Sequence, residues 1–446
     1  MRRFVVPRSL RSLVDTRFVA AAGIAVSLFV YAPDAAAVGT EIADQSASAS
    51  GTGGAGTARP RDPGAAYFNP AALADGQGFR AGLGAAFALP SIHASTTKDA
   101  PAFESPSPFD DSSKTSLRVI PQVAVSYAFK DVMAGVSAHV PFGGGVTWPS
   151  DWPLRFDAIK TDLRVIRIAP FVGARFSWLR VAAGPHIDIA NLEVERATQH
   201  VLEEGKVHLA LHGVGFGGQI AFFAQASKEV TVGLSYKSRA VTTLKGDADF
   251  TIPVPLAAQY PDQDVSAKLK LPDRIALGTM VALGEKQNVR ILGDLVYALW
   301  SINDELVFDF ARSETPDSVN KNEWHDALTV RVGAEADVAE KLVVRGGLFV
   351  DGVFGPAGPP ENLAPSSPDM TRLGASIGGG YAITEALSAD AFYTFFSLLE
   401  RSSSSANLPL ATYSGTAHVF GLGLRVALGS RAESKNEGQA GGDTKP

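Results

Sequence analysis

The sequence predicts an all-β chain that crosses a membrane as an up-and-down antiparallel β-barrel of about fourteen strands. Three observations carry this reading. Segments that alternate with period two run through most of the chain, their connections alternate short and long, and the one long apolar stretch looks like an export signal rather than a membrane helix.

The N-terminus is considered first. Arg2, Arg3, Arg8, Arg11 and Arg17 form a basic region, and residues 18–32 (FVAAAGIAVSLFVYA) an apolar one. Pro33 and Asp34 interrupt it, and Ala35, Ala36 and Ala37 offer an A-x-A cleavage site. The apolar run is shorter than the ~20 residues a membrane helix needs. Residues 1–37 are therefore expected to be a signal peptide, and the mature chain then carries a net charge of about −9. Charged residues make up only 19% of the chain and form no basic run, which argues against a nucleic-acid partner. There is no cysteine, so disulfides and thiolate metal sites are excluded. No cofactor or metal centre is expected.

The strands follow from the alternation. In residues 123–129 Val123, Val125, Tyr127 and Phe129 share one face, and Ala124, Ser126 and Ala128 the other. The same pattern returns at Leu328, Val330 and Val332, opposite Thr329, Arg331 and Gly333, and again at Phe420, Leu422 and Leu424, opposite Gly421, Gly423 and Arg425. Strands are expected near 78–90, 117–129, 131–141, 163–176, 178–190, 207–224, 229–250, 265–284, 287–310, 325–337, 340–352, 370–383, 386–400 and 415–428. Many exceed the ~5–6 residues usual in soluble sheets, which weighs against a soluble β-sandwich. The second face carries Gly, Ala, Ser and scattered charge, which suits a wet or plugged lumen better than a second packed core.

Short turns such as Lys130-Asp131, Ala339-Glu340 and Thr384-Glu385 alternate with long connections at 91–116, 142–162, 191–206, 251–264, 311–324, 353–369 and 401–414. A barrel with periplasmic turns and extracellular loops has this layout. The expected division is signal peptide 1–37, an N-terminal segment 38–77 rich in Gly, Ala, Ser and Asp, transmembrane barrel 78–428 and a polar, disordered tail 429–446.

Enzyme signatures are absent, so no catalytic residue is expected. The glycine pattern in 213–218 (GVGFGG) lies inside an alternating strand, and His186, His208 and His212 are scattered. Ser137 and His139 sit two apart on one strand and should both point into the lumen, which is a poor start for a barrel lipase acting at the outer wall.

Several short motifs carry a family resemblance. The stretch 62–74 reads DPGAAYFNPAALA, and 141–156 reads PFGGGVTWPSDWPLRF. Residues 233–238 (GLSYKS), Leu271-Pro272, 294–301 (DLVYALWS), Arg345-Gly346-Gly347, Asp351, and Pro368-Asp369 with Arg372 follow in order. Together they resemble the outer-membrane transporters of long-chain fatty acids, whose relatives import aromatic hydrocarbons. The resemblance covers essentially all of 38–428. It implies a Gram-negative outer-membrane location and uptake of hydrophobic compounds, long-chain fatty acids foremost, by capture at extracellular loops and lateral exit through the barrel wall. Aromatic hydrocarbon uptake is the alternative within the family; a phospholipase barrel or a plain aqueous porin are alternatives outside it. The implied partners are the hydrophobic ligand, outer-membrane lipid and lipopolysaccharide, and the barrel assembly machinery, with the chain a monomer. One departure concerns assembly, because such barrels usually end on an aromatic residue, whereas here the last strand ends near Leu428 and a polar tail follows.

The candidate site residues fall into four groups. Asn69, Pro70 and Ala71 match the family's hatch motif, and the resemblance implies that 38–77 is a hatch that plugs the barrel. Pro141, Gly143, Gly144 and Gly145 can break a ladder, since Pro lacks a donor and Gly weakens pairing, and are candidates for a strand kink that opens the wall. Phe142, Trp148, Trp152 and Phe156 are candidates for an exposed capture surface, or else for an interfacial girdle. Arg155, Arg331 and Arg345 are candidate carboxylate anchors. By alternation Arg290, Arg331, Arg345 and Arg425 face inward, where acids such as Asp294, Glu335 and Asp351 are expected to pair with them.

Overall fold

The computed structural model describes residues 41–96, 108–199, 204–252, 260–404 and 411–429. The expected signal peptide and all but the first residue of the expected tail lie outside the described residues. Among the described residues no helix is long and apolar enough to cross a membrane; strands make the crossing.

Fourteen antiparallel strands close into a ring. They are β1 (Gly78–Thr96), β2 (Arg118–Phe129), β3 (Val132–Thr147), β4 (Lys160–Arg175), β5 (Leu179–Gln199), β6 (Glu204–Gln225), β7 (Val230–Lys237 continuing as Ala240–Thr251), β8 (Gln263–Leu271 and Arg274–Leu283), β9 (Val289–Ala298 and Glu305–Phe310), β10 (Ser318–Lys321 and Ala327–Ala339), β11 (Leu342–Asp351), β12 (Arg372–Ala382), β13 (Leu387–Ser402) and β14 (Ala411–Leu428). Each pairs with its sequence neighbours, and β1 pairs with β14 from Phe79↔Leu428 to Thr96↔Ala411. Closure leaves no free sheet edge, which an apolar solvent requires.

The short connections gather at one end. Phe129 and Val132 pair across Lys130-Asp131, where Lys130 takes φ 54°, and the β8–β9 turn uses Gly284 at φ 80° and Gln287 at φ 52°. On the outer wall Leu277, Leu348, Ile377 and Leu422 stand exposed, forming part of an apolar belt for lipid. Facing inward are Arg167, Asp188, Asp294, Arg331, Glu335, Arg345 and Asp390, all buried. They lie against residues 41–77, which fill the lumen as two short helices, α1 (Ala47–Ser50) and α2 (Ala65–Phe68), and a 3-10 turn (Pro70–Asp75). The glycines of the inner wall make room for this filling. A Cβ on Gly233 would meet Thr57 O at 2.1 Å, and one on Gly347 would meet Gly53 N at 2.2 Å.

Two expectations about strand extent need correction. The third strand does not end at Pro141. It continues to Thr147, with Pro141 at a register shift between His139↔Arg167 and Phe142↔Val165, where a residue without an amide proton fits. Gly143, Gly144 and Gly145 are therefore strand residues, paired with Arg164, Leu163 and Asp162. The stretch 191–199 also belongs to a strand, and β5 and β6 run 21 and 22 residues.

The reason for the second correction is an inversion of the alternation. In the lower part of β5 Ile189 faces out while His186 and Asp188 are buried inward. Higher up, Glu193 and Glu195 face out and Leu192 is buried inward. The outer face there is tied by ion pairs, Lys160–Glu193 at 2.6 Å and Lys206–Glu195 at 2.8 Å. On β6 the outward residue changes from Phe216 and Val214 to His208, with Leu209 and Leu211 buried inward. On β7 it changes from Val241 to Lys245, Asp247 and Asp249, with Leu244 and Ala248 inward.

Candidate functional site

The inverted rim encloses an apolar cavity of about 440 Å³ at the loop end of the barrel. Its apolar wall includes Leu192 of β5, Leu209 of β6, Leu271 of β8, Leu306 and Phe308 of β9, and Trp324. Arg196, Lys270, Lys321 and Arg401 bring positive charge to the same wall. Arg196 donates to Ser318 Oγ at 3.3 Å, and Arg401 to Asp369 O at 2.9 Å. Glu361 and two further loop carboxyls, Asp157 and Asp369, also line the cavity. Burial raises the two aspartates above the usual carboxylate range, against Arg196 near Asp157 and the Gly358 amide and Arg401 near Asp369. A volume of this size, apolar with a few polar groups, suits a small amphiphilic molecule.

Beside the cavity, whose lining includes Gly144, Gly145 and Val146 of β3, the wall has a window. The β2–β3 ladder runs from Phe129↔Val132 up to Val123↔Ala138 and stops there. Arg118–Gln122 of β2 stay paired with β1, and Phe142–Thr147 of β3 with β4. The window is bounded above by Lys114 N donating to Thr147 O at 2.7 Å. Arg118 reaches across it to Asp162 of β4, Nη1 to Oδ2 at 2.6 Å, with both side chains buried. On the lumen side the turned strand is braced by Ile42 N donating to Pro141 O at 2.9 Å and by a Glu41↔Phe142 bridge.

The lumen filling is bolted to the wall. Asp294 accepts from Gly56 N at 2.9 Å, Thr57 N at 3.0 Å and Thr57 Oγ1 at 2.7 Å. Arg59 pairs with Glu335 at 2.5 Å, and Thr231 Oγ1 donates to Ala58 O at 2.8 Å. Asn69 uses its whole side chain: Oδ1 accepts from Ala71 N at 3.1 Å, while Nδ2 donates to Thr57 O at 3.0 Å and Phe222 O at 2.9 Å. Pro70 opens the 3-10 turn, where its missing donor costs nothing, and Ala71 is fully buried.

A closed barrel filled from its N-terminus, with a cavity above and a window beside the filling, is the geometry against which known proteins compare. Residues 28–427 match the family described as outer membrane protein transport proteins (OMPP1/FadL/TodX). The chain belongs to this family.

Among solved structures it resembles a FadL homologue of Pseudomonas aeruginosa, with TM-score 0.74 and 18% identity over 87% of this chain and 99% of that one. It also resembles the toluene transporter TodX of Pseudomonas putida, with TM-score 0.68 and 16% identity over 87% and 100%. The toluene transporter TbuX of Ralstonia pickettii follows at TM-score 0.63 and 18% identity over 86% and 98%. These likenesses show the fold. A protein of Neisseria meningitidis serogroup B described as an outer membrane protein is 24% identical over 408 residues, 80% of this chain and 85% of its own length. The chain is thus an outer-membrane transporter of hydrophobic substrates, in a family of transport channels rather than enzymes.

Within this OMPP1/FadL/TodX barrel the capture residues are not where an exposed surface would put them. Trp148 and Trp152 are 0% and 2% exposed and stacked, with ring centroids 4.3 Å apart. Their indole N–H groups are satisfied by Pro365 O at 3.0 Å and Ala158 O at 2.6 Å, so they hold the loops rather than meet solvent. Phe142 is buried edge-on to Trp300, and Phe156 is half-buried beneath the Arg155 guanidinium. None of the four lines the outer cavity.

The three anchor candidates also lie away from it. Arg155 pairs with Glu204 on the rim, and Arg345 with Asp390 at 2.7 Å and Glu335 at 3.2 Å deep in the lumen. Arg331 lies below the cavity, 3.3 Å from Gly54 O. The expected acid partners hold for Glu335, which also takes Arg290 at 2.5 Å. Asp294 serves the lumen filling instead, and Asp351 pairs with Arg372. The side chains of Ser137 and His139 are buried and make no hydrogen bond to any described residue, so they form no dyad. Of the candidate residues Gly144 and Gly145 line the cavity; its other lining residues were missed, and the inward Leu–Val pattern of 192–194 beside outward glutamates was the signal that could have found them.

Proposed function

We propose that this transporter imports long-chain fatty acids or chemically similar amphiphiles, taking them up in the outer cavity and releasing them sideways through the β2–β3 window. The observation that carries the reading is the cavity of about 440 Å³ whose apolar wall also bears Arg196, Lys270, Lys321 and Arg401. A bare aromatic hydrocarbon has no use for the net positive charge that these four cations keep over Asp157, Glu361 and Asp369, whereas a fatty acid offers an apolar tail and a carboxylate. Lateral release is supported by the unpaired stretch above Val123↔Ala138. Release into periplasmic water would cost about 0.8 kcal/mol for each CH₂ exposed, and a sideways exit into lipid avoids it. In this reading residues 38–77 act as the hatch, the Asn69-Pro70-Ala71 turn fixes that hatch to β6, and the Pro141 shift turns β3 away from β2. The protein works as a monomer, placed by the assembly machinery among outer-membrane lipid and lipopolysaccharide.

The deciding experiment is twofold. Mass spectrometry of lipid extracted from protein purified in mild detergent identifies the cargo, with free fatty acid expected. Cysteines placed at Gln122 and His139, the next rung above the ladder, should cross-link and stop oleate uptake, and reductant should restore it. Uptake that continues in the cross-linked protein places the exit elsewhere.

A further inference from the structure

Residues 41–45 cross the lumen as a strap. One edge is held by β3, with Ile42 N on Pro141 O at 2.9 Å and Gln45 Nε2 on Val140 O at 2.7 Å. The other edge is held by arginines from three strands. Arg372 of β12 donates to Glu41 O at 3.0 Å, Arg274 of β8 places Nε 2.8 Å from Glu41 Oε1, and Arg331 of β10 places Nη2 at 3.9 Å.

The strap divides two small cavities. Glu41 lines one, which shares Trp300, Trp324 and Asp369 with the outer cavity. Ile42, Ala43 and Asp44 line the other, an apolar chamber that reaches Ile120 on the window strand β2. Thr329, Asp351 and Arg372 line both. The outer cavity also touches Gly144, Gly145 and Val146 on the β3 edge of the window, and the route through the two small cavities toward Ile120 passes Glu41.

The charges around Glu41 are unequal. Lys237 of β7 is buried, and its Nζ has no hydrogen-bond partner among the described residues; it lies 3.9 Å from the centroid of the Tyr67 ring. Asp294 is committed to Gly56 and Thr57, and Asp351 to Arg372. Glu41 and Asp44 of the strap are then the two carboxylates left to face the three cations Arg274, Arg331 and Lys237. Even so Glu41 Oε1 takes no well-aligned hydrogen bond, and neither does Arg331 Nε.

We propose that Arg274, Arg331 and Lys237 form a carboxylate site that Glu41 occupies at rest, and that an incoming acid head group takes the place of Glu41 and releases the strap. The inference rests on the fatty-acid reading above and adds how such a cargo opens its own path. Exchanging one carboxylate for another never leaves these cations unpaired in a dry lumen, which is what would make the release expensive. A neutral molecule offers no replacement and leaves the strap in place.

The test uses the full chain in detergent, with oleate and methyl oleate as probes and binding of each measured by equilibrium dialysis. The sequence has no cysteine, so Ala43→Cys gives a single thiol on the strap whose maleimide labelling rate reports release. Oleate should speed labelling by about tenfold or more, the factor expected when a closed state is emptied by a ligand that prefers the open one. Methyl oleate should bind without speeding it. Glu41→Gln in the same background should label fast with no probe, and Arg331→Met should blunt the response to oleate. Equal acceleration by both probes, or none by bound oleate, overturns the inference while leaving transport intact. Binding of neither probe overturns the fatty-acid reading and this inference together. Should Glu41→Gln fail to assemble, the two-probe comparison in the Ala43→Cys protein decides alone.

Discussion

Arg118 and Asp162 are joined across an intervening strand, Nη1 to Oδ2 at 2.6 Å, with less than a tenth of either side chain exposed. Arg118 belongs to β2 and Asp162 to β4, so the pair bars the opening left where β2 and β3 part. Replacing Arg118 with Ala leaves Asp162 buried without that partner, a change that typically costs about 3–5 kcal/mol. The midpoint of heat-modifiable migration on gels should fall, and the double reversal Arg118→Asp with Asp162→Arg should recover most of it. An unchanged midpoint in Arg118→Ala would show that the pair carries no structural weight.

Asp294 holds the lumen filling by three hydrogen bonds, each worth about 1.5–3 kcal/mol because the acceptor is charged. Asp294→Ala should loosen residues 56–57 and raise single-molecule conductance to small ions in a planar bilayer. Deleting 38–75 should raise it much further while leaving a folded barrel. If the deletion conducts no better than the intact chain, the segment does not plug the lumen.

Burial raises the Asp157 carboxyl, so the folded protein holds that proton more tightly than the unfolded chain. Its ionised form is therefore a burden to the fold that grows as pH rises through the folded value and disappears below the unfolded value, about pH 4. Asp157→Asn should stabilise the loop end at pH 7, tighten oleate binding there by a few fold, and matter progressively less as pH falls toward 4. A pH-independent effect on affinity would contradict a charge origin.

Trp148 and Leu192 separate loop integrity from ligand contact. Trp148 is fully buried away from the cavity, and its replacement by Ala should cost about 3–5 kcal/mol and disorder the loops. Leu192 lines the cavity, and Leu192→Glu on a strand should keep the barrel folded yet abolish oleate binding in dialysis. Normal oleate affinity in folded Leu192→Glu would move the binding site elsewhere.

The barrel was legible because lipid imposes one rule on every strand. Leu277, Leu348 and Leu422 must face out whatever lies inside, so period two survives through the membrane zone. Above the membrane that rule lapses. Glu193 and Lys206 face out, Leu192 and Leu209 face in, and strand continuing past the membrane reads like loop. The tryptophans misled for a related reason. Their position between strands was legible, but Trp148 stacking on Trp152 and donating to Pro365, 217 residues away, depends on ring closure. The same holds for Arg118 with Asp162 and for the arginines at Glu41: the partners come from separate strands, and spacing along one chain does not announce them.

The reversal on β5, β6 and β7 also records depth. Ile189, Val214 and Val241 are the last outward apolar residues before Glu193, His212 and Lys245. Hydrocarbon cannot rise past that contour without stripping water from ions, nor sink below it without wetting the belt. The contour fixes the barrel's height in its bilayer, leaving the rim with its apolar cavity above the acyl chains. The cavity is an apolar compartment held up inside the aqueous head-group layer, and its apolar wall is supplied by protein alone, where no lipid could provide one.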